Sequence, residues 1–340
     1  MGKYEDTIKT VQELLEKNKE WESRYAGYID TISSNSEIKN AREKFNVPSQ
    51  FTLHMSVSKA TGLTKSVVKF DLRYHGHNIG CLKVNKGTVE LEAVKNKDII
   101  SAMNKAGIVY KDELNGTINW NKARKFRKIY AELENNNVKL TKNKEHELES
   151  KLLKNFSKTS SDGKFIRNIQ PVTMLKESLF FQMPTPLKAS NAKDGIIEYS
   201  AEKGGGIDIL ARIGRGGKNT YLAIIELKDK YEKNEPPEKA ICQAIAYATF
   251  ISELLRSKSG KKWWKFFGFR SGIPKSLKLF AIIAMPNSEF ANKDFVYTRN
   301  ENGINLSLYK EDKLELGYIY LENEDSTQEI SKNLPLIANI

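Results

Sequence analysis

The sequence has few cysteines and no long apolar run, and each shortage excludes a class of protein. Its only cysteines, Cys81 and Cys242, cannot build a disulfide framework, so we expect a reducing compartment. No run approaches the roughly eighteen apolar residues of a membrane helix. The charged stretch from Met1 to Ile8 has no apolar segment behind it, so we expect neither a signal peptide nor a membrane span. These features predict a cytoplasmic protein.

Positive charge, in contrast, is abundant. The 340 residues include 55 Lys and Arg against 42 Asp and Glu, which gives a formal net charge of +13. Such an excess attracts polyanions and supplies the non-specific part of nucleic-acid binding. The same composition is also compatible with a basic protein that binds no nucleic acid. Because a chain of this length exceeds the comfortable size of one hydrophobic core, we expect two domains.

Two apolar runs that carry charged residues predict a β-hairpin. The first, Ile207 to Ile213, contains Asp208, and the second, Tyr221 to Lys228, contains Glu226 two residues before its end. The glycine-rich turn between them suits antiparallel pairing, which brings Asp208 alongside Glu226. Side chains alternate along a strand, so Glu226 and Lys228 project from the same face. Two carboxylates and an ammonium group are therefore expected to meet.

These three side chains suit metal-dependent phosphodiester chemistry. Two converging carboxylates favour Mg²⁺, which keeps several waters and completes its shell with substrate phosphate, and a lysine can stabilise charge on the scissile phosphate. Asp208, Glu226 and Lys228 resemble the signature of the PD-(D/E)xK nuclease superfamily, although Ile207 stands where that signature has proline. The resemblance implies three catalytic residues, of which Asp208 and Glu226 bind Mg²⁺, with Mn²⁺ as a substitute.

A helix predicted after the hairpin carries a second motif. Apolar residues recur at helical spacing from Ala240 to Leu255, after a helix start at Pro236 and Pro237. Gln243 and Tyr247 are four residues apart and hence side by side. This pair resembles the Gln-x-x-x-Tyr motif of the RecB-like branch of the superfamily, which implies that both are catalytic-site residues. The alternative is that Gln243 is an ordinary polar residue of the helix and Tyr247 is a partly buried aromatic residue without a catalytic role.

A helix is also predicted before the hairpin, from Glu145 to Phe156. Its leucines and its phenylalanine form one apolar face, and Glu149 borders that face. In the superfamily such a helix often supplies a glutamate to the metal ion. The resemblance therefore implies Glu149 as a third metal ligand, in preference to Glu145 or Glu147.

The N-terminal part of the chain predicts a smaller module. A helix is expected from Tyr4 to Tyr25, a half-exposed strand from Val68 to Tyr74, and a hairpin turn at Asn85 to Gly87. A later helical stretch interleaves aromatic residues with cations and predicts a phosphate-contacting surface; a solvated helix face is the alternative. Its candidate nucleic-acid-binding residues are Lys122, Arg124, Lys125, Arg127 and Lys128.

Two further constellations are weaker. His75, His77 and Cys81 are spaced like zinc ligands but lack a fourth ligand. The aromatic side chains between Lys261 and Phe267 could stack on nucleic-acid bases. More often, however, the aromatic residues of such a run pack in the hydrophobic core and its basic residues lie at the edge of the core.

The predicted fold class is α/β, with a restriction-endonuclease-like mixed central sheet flanked by helices. We expect an N-terminal helical segment at 1–45, an α+β module at 46–140 and a nuclease domain at 141–340. The predicted function is a Mg²⁺-dependent DNA endonuclease. The leading hypothesis is a type II restriction-type enzyme that acts on double-stranded DNA, and a homodimer is compatible with it. The alternatives are a repair or anti-phage nuclease on branched, single-stranded or modified DNA, and a catalytically silent nucleic-acid-binding protein.

Overall fold

The structure is a computed structural model, and it describes most of the chain. The described residues are 2–44, 47–55, 57, 64, 66–110, 116–136, 140, 144–157, 169–176, 179–202, 204–214, 220–228, 237–286 and 305–321. Within them, the chain forms helices and strands in the mixed α/β arrangement that the sequence predicts. No helix in this part of the chain is long and apolar enough to cross a membrane.

The described elements are numbered in chain order. The helices are α1 (Lys3–Lys17), α2 (Glu20–Ser34), α3 (Ser36–Lys44), α4 (Lys97–Lys105), α5 (Arg124–Asn135), α6 (Lys144–Ser157), α7 (Pro237–Arg256) and α8 (Gly260–Phe266). The strands are β1 (Phe51–Met55), β2 (Val67–Tyr74), β3 (His77–Asn85), β4 (Thr88–Ala93), β5 (Gly116–Asn119), β6 (Ile169–Pro171), β7 (Met174–Lys176), β8 (Leu179–Phe181), β9 (Leu187–Lys188), β10 (Glu198–Tyr199), β11 (Ile209–Gly214), β12 (Thr220–Leu227), β13 (Lys278–Pro286), β14 (Asn305–Ser307) and β15 (Lys313–Leu321).

The chain divides into two compact units, and each is built from separate stretches of sequence. Unit 1 comprises Met1–Ile29, Asn155–Thr173 and Met183–Ile340. Unit 2 comprises Asp30–Lys154 and Met174–Gln182. This division differs from the predicted boundaries after residues 45 and 140, because contacts group the first 29 residues with the C-terminal part of the chain. The predicted joint between the last two domains falls largely outside the described residues, which omit 137–139 and 141–143.

Unit 1 contains a six-stranded mixed sheet in the order β14-β15-β13-β12-β11-β6. β11 pairs antiparallel with both β6 and β12, whereas β12, β13 and β15 run parallel. The helix predicted after the hairpin is confirmed as α7, which begins at Pro237 and packs against β12 and β13; Pro236 lies outside the described residues. The near-continuous apolar sequences of β12 and β13 are typical of strands buried on both faces.

The N-terminal residues of unit 1 form two helices instead of the single predicted one. α1 ends at Lys17, where the side-chain amide of Asn18 donates to the carbonyl of Leu14 at 2.7 Å. This hydrogen bond satisfies a carbonyl that the helix end leaves open. In α2, the rings of Trp21 and Tyr25 pack edge-on against Phe250 of α7, at centroid distances of 5.6 and 4.9 Å. α1, which also packs on α7, and the first half of α2 therefore contribute to the core of unit 1, whereas α2 from Asp30 onwards belongs to unit 2.

Unit 2 is built on a seven-stranded sheet in the order β5-β4-β3-β2-β1-β8-β7. The predicted alternation in β2 is confirmed, since every second side chain from Val68 to Tyr74 is buried. The predicted turn after β3 is also confirmed, and Lys86 and Gly87 adopt positive φ angles of 49° and 73° there. β8 joins the sheet by pairing parallel to β1.

Candidate active site

The hairpin of β11 and β12 brings the first two predicted site residues together. The strands pair with Ile209 opposite Ile225, so the next step of the same register sets Asp208 opposite Glu226. The backbone N–H of Leu227 donates to Oδ2 of Asp208 at 2.9 Å. The carboxylate of Asp208 is thereby fixed at the end of β12. Residues 215–219 of the predicted turn lie outside the described part of the chain.

Glu226 and Lys228 are both buried, with exposed fractions of 0% and 8%. The backbone N–H of Lys228 donates to the carbonyl of Ala284 at 3.0 Å, which continues the pairing of β12 with β13. The Nζ of Lys228 donates to Oε1 of Gln243 on α7 at 3.3 Å. Because buried charges are costly unless other groups compensate them, these two are not a solvated pair at a strand end.

Tyr247 connects the helix motif to the two carboxylates. Its side chain is buried, and burial raises the pKa of its phenol well above the ordinary value. The negative charges of Glu226 and Asp208 raise this pKa further, whereas hydrogen bonds from the Gln243 side chain and the Ala189 backbone lower it. The phenol therefore stays protonated near both carboxylates and can act as a hydrogen-bond donor.

The glycine run before Asp208 is held against an upstream segment of unit 1. The N–H of Gly205 donates to the carbonyl of Leu187 at 2.6 Å, and the N–H of Thr185 donates to the carbonyl of Gly205 at 2.7 Å. The N–H of Ile207 donates to the carbonyl of Met183 at 3.0 Å. These bonds fix the backbone that leads into Asp208. Sequence reasoning did not identify this support, for which the consecutive glycines are the only visible signal.

Glu149 lies in unit 2, on the predicted helix, which is confirmed as α6. Its buried carboxylate is 3.0 Å from Nη1 of Arg73, 3.2 Å from Nδ1 of His146 and 3.8 Å from Nδ1 of His54. Burial alone would raise the pKa of Glu149, but these neighbours lower it below the ordinary value. The structure thus surrounds Glu149 with basic side chains of its own unit. Its role as a third metal ligand stays a prediction.

The predicted basic surface lies on α5 and the turn before it, in unit 2. The aromatic side chains of this stretch, Trp120, Phe126 and Tyr130, are buried. The predicted cations Lys122, Arg124, Lys125 and Lys128 are exposed. Arg127 differs, because its guanidinium donates to the carbonyls of Trp120 and Asn121 and lies 4.9 Å from the centroid of the Trp120 ring.

The donor set of the hairpin fits a Mg²⁺ ion. Asp208 and Glu226 offer carboxylate oxygens at neighbouring positions of the hairpin, because Asp208 lies one register step beyond the pair Ile209–Ile225 and its Oδ2 accepts from the N–H of Leu227. Mg²⁺ is commonly bound by one or two carboxylates together with waters and substrate phosphate, without a cage made only of protein ligands. Within the described ranges, no group of three or more His, Cys, Asp or Glu residues is arranged to hold a metal ion. A site completed by substrate is consistent with both observations.

No family model, curated protein or solved structure matches the chain. The function must therefore be inferred from the chemistry of the residues that the fold brings together.

Proposed function

We propose that unit 1 is a Mg²⁺-dependent DNA endonuclease of the PD-(D/E)xK type. The observation that carries this proposal is that the hairpin of β11 and β12 sets Asp208 opposite the buried Glu226, next to Lys228, which is bonded to Gln243 of α7. The order of elements supports it as well: the antiparallel hairpin of β11 and β12, then α7, then β13 parallel to β12. This arrangement is compatible with a restriction-endonuclease-like sheet.

Burial separates this proposal from the alternative of an ordinary ion pair. A surface pair of glutamate and lysine would be solvated and would contribute little to stability. Glu226 is instead fully buried and Lys228 nearly so, at the end of a mostly apolar strand and directly after it. Because the protein interior solvates charge poorly, nearby groups of opposite charge lower the cost of burying each of them. A bound cation and a substrate phosphate would provide opposite charges for the carboxylates and the ammonium group, respectively.

Each side chain of the site has a defined task in this proposal. Asp208 and Glu226 would hold Mg²⁺, which would polarise the phosphate and lower the pKa of a bound water. The ammonium group of Lys228 stabilises the charge that develops on the phosphate. Gln243 orients Lys228 by accepting a hydrogen bond from its Nζ. The protonated phenol of Tyr247 donates a hydrogen bond within the site.

The direct test compares cleavage with binding. We expect Asp208→Ala and Glu226→Ala to reduce Mg²⁺-dependent cleavage of plasmid DNA by at least about a hundredfold. Binding measured by fluorescence anisotropy without Mg²⁺ should change little, because affinity comes chiefly from basic residues. Glu198→Ala removes an exposed carboxylate of the same unit and should cleave like the parent. Normal cleavage by either site variant would refute the metal assignment.

The leading subclass is a type II restriction-type enzyme acting on double-stranded DNA. Such an enzyme should convert a long linear duplex into discrete fragments that reappear identically in repeated digests. A repair or anti-phage nuclease should prefer branched, single-stranded or modified DNA, and the pairing of Gln243 with Tyr247 is compatible with that alternative. Parallel digests of unmodified duplex, branched duplex and single-stranded DNA distinguish the two.

A further inference from the structure

Gly205 lies directly against the phenol of Tyr247. A Cβ atom added to Gly205 would overlap the phenol oxygen and lie 3.0 Å from Cζ of the same ring. The φ angle of Gly205 is not in the left-handed region that favours glycine. Glycine is therefore required at this position by space and not by backbone conformation.

The backbone of Gly205 is poorly able to move away from the ring. Its N–H is bonded to Leu187, and its carbonyl accepts hydrogen bonds from both the N–H and the hydroxyl of Thr185, at 2.7 and 3.0 Å. The preceding residue is equally constrained, because a Cβ on Gly204 would overlap the carbonyl oxygen of Thr185. A side chain at 205 would thus displace Tyr247 more readily than the backbone.

Such a displacement would alter the proposed site. Tyr247 lies one helical turn after Gln243 on α7, and Gln243 accepts a hydrogen bond from Lys228 at 3.3 Å. The charges of Glu226 and Asp208 also raise the pKa of the Tyr247 phenol. We propose that Gly205 is a positioning residue, which sets where the hydroxyl of Tyr247 stands relative to the two carboxylates. The inference rests on the proposed nuclease function for its catalytic consequence, whereas the packing contact can be tested without activity.

A double-mutant cycle between Gly205→Ala and Tyr247→Phe tests the inference. Gly205→Ala alone should lower the melting temperature by about 3 to 10 °C, because an extra methyl group overpacks a constrained site. In the Tyr247→Phe background the same change should cost less, because the overlapping oxygen is gone and only the 3.0 Å approach to Cζ is left. Gly272→Ala is the matched control, since a Cβ there meets nothing within 4 Å.

Cleavage kinetics provide the second readout. Below its melting range, Gly205→Ala should lower kcat by about ten- to a hundredfold with little change in KM, because a misplaced group impairs chemistry more than binding. The double variant should cleave no more slowly than Tyr247→Phe alone. Removal of the Tyr247 hydroxyl should thus cancel the effect of the Gly205→Ala methyl group on kcat. A glycine with a purely structural role would not produce this cancellation.

The outcomes separate the two proposals. If the parent protein fails to cleave any DNA substrate, the nuclease proposal fails, and the melting half of the cycle still decides on the contact. If the parent cleaves DNA and Gly205→Ala keeps the parent's kcat, the positioning role is overturned. It is also overturned if the reductions of kcat by Gly205→Ala and by Tyr247→Phe simply multiply in the double variant. Should Gly205→Ala not fold, a folded double variant would support the inference, and an unfolded one would overturn it.

Discussion

The Nζ of Lys228 donates a hydrogen bond to Oε1 of Gln243 at 3.3 Å, and this contact joins the end of β12 to α7. Lysine has a long, flexible side chain with three rotatable donors. An amide acceptor on a well-packed helix therefore restricts where the ammonium group can stand. Gln243 thus contributes to the site through Lys228 as well as through Tyr247.

Loss of this acceptor should affect the reaction more than binding. We expect Gln243→Ala to lower kcat about ten- to a hundredfold while KM stays within about threefold, because the ammonium group loses its fixed position. Lys239→Ala changes an exposed residue of the same helix and serves as the control. Steady-state cleavage rates over a range of DNA concentrations provide the test. An unchanged kcat would show that Lys228 is positioned by other groups.

Lys228 itself should not be replaceable by arginine. The guanidinium group is a planar fork, whereas the ammonium group is a compact point charge, so Lys228→Arg should not restore the activity that Lys228→Ala loses. Lys188→Arg, at an exposed position of the same unit, should be neutral. Single-turnover cleavage compares the chemical step directly, and full activity of Lys228→Arg would reduce Lys228 to a structural role.

Much of this site could be predicted from the sequence, because its signals are local. Alternating side chains, a glycine-rich turn and two apolar runs specify a hairpin, and they bring Asp208 next to Glu226. Helical spacing likewise sets Gln243 and Tyr247 on one face of α7. Each inference requires only residues that are close in the chain or joined by one short turn.

The remaining features depend on contacts between distant residues. Apolar residues continue at helical spacing past Asn18, so the sequence predicts one helix where the structure has two. The packing of Trp21 and Tyr25 on α7 is visible only in the folded chain. Glycines before Asp208 indicate a close approach, but the approaching segment at Leu187 carries no signal of its own. Glu149 borders an apolar helix face as predicted, yet its nearest charged partner, Arg73, comes from β2.

The packing of the N-terminal helices changes what a C-terminal fragment should do. The sequence predicts a nuclease domain at 141–340, but a fragment with these bounds lacks Trp21 and Tyr25 and would expose the face of Phe250 that they cover. Loss of large buried aromatic side chains typically costs about 3 to 5 kcal/mol each. We expect the fragment to show no cooperative transition in calorimetry, whereas the full chain does. A soluble fragment with a sharp transition would show that α1 and α2 are dispensable.

The stability of unit 2 should depend on pH through His75. Its Nε2 is 2.7 Å from Glu134 and its Nδ1 is 3.3 Å from Glu147. Burial by itself lowers the pKa of His75, but the hydrogen bonds and negative charges of the two glutamates outweigh it and raise the pKa to about 9. The folded pKa exceeds the unfolded value of about 6.5, because the glutamates stabilise the protonated imidazole. This stabilisation is therefore complete below about pH 6.5 and is lost as the pH rises through 9.

Urea unfolding between pH 6 and 10 tests this dependence. The parent should lose about 1 to 3 kcal/mol of unfolding free energy between about pH 6.5 and 9.5. His75→Asn should remove this slope, and asparagine tolerates the positive φ of 45° at this position. Equal slopes in the parent and the variant would mean that His75 does not titrate in this range.

The basic residues of α5 and its preceding turn should fall into two classes. Lys122, Arg124, Lys125 and Lys128 are exposed, so neutralising each one should weaken DNA binding equally on every sequence, if this surface contacts phosphates. Each lost contact should reduce the slope of log K against log salt by about one.

Arg127 should behave differently from the other four, because its guanidinium is bonded to the carbonyls of Trp120 and Asn121. Arg127→Ala should lower the melting temperature and leave the salt slope unchanged, whereas Lys125→Ala should do the reverse. Binding titrations at several salt concentrations, together with thermal melts, separate the two effects. If none of the four exposed variants changes the slope, this face is solvated and the DNA is bound by other basic residues.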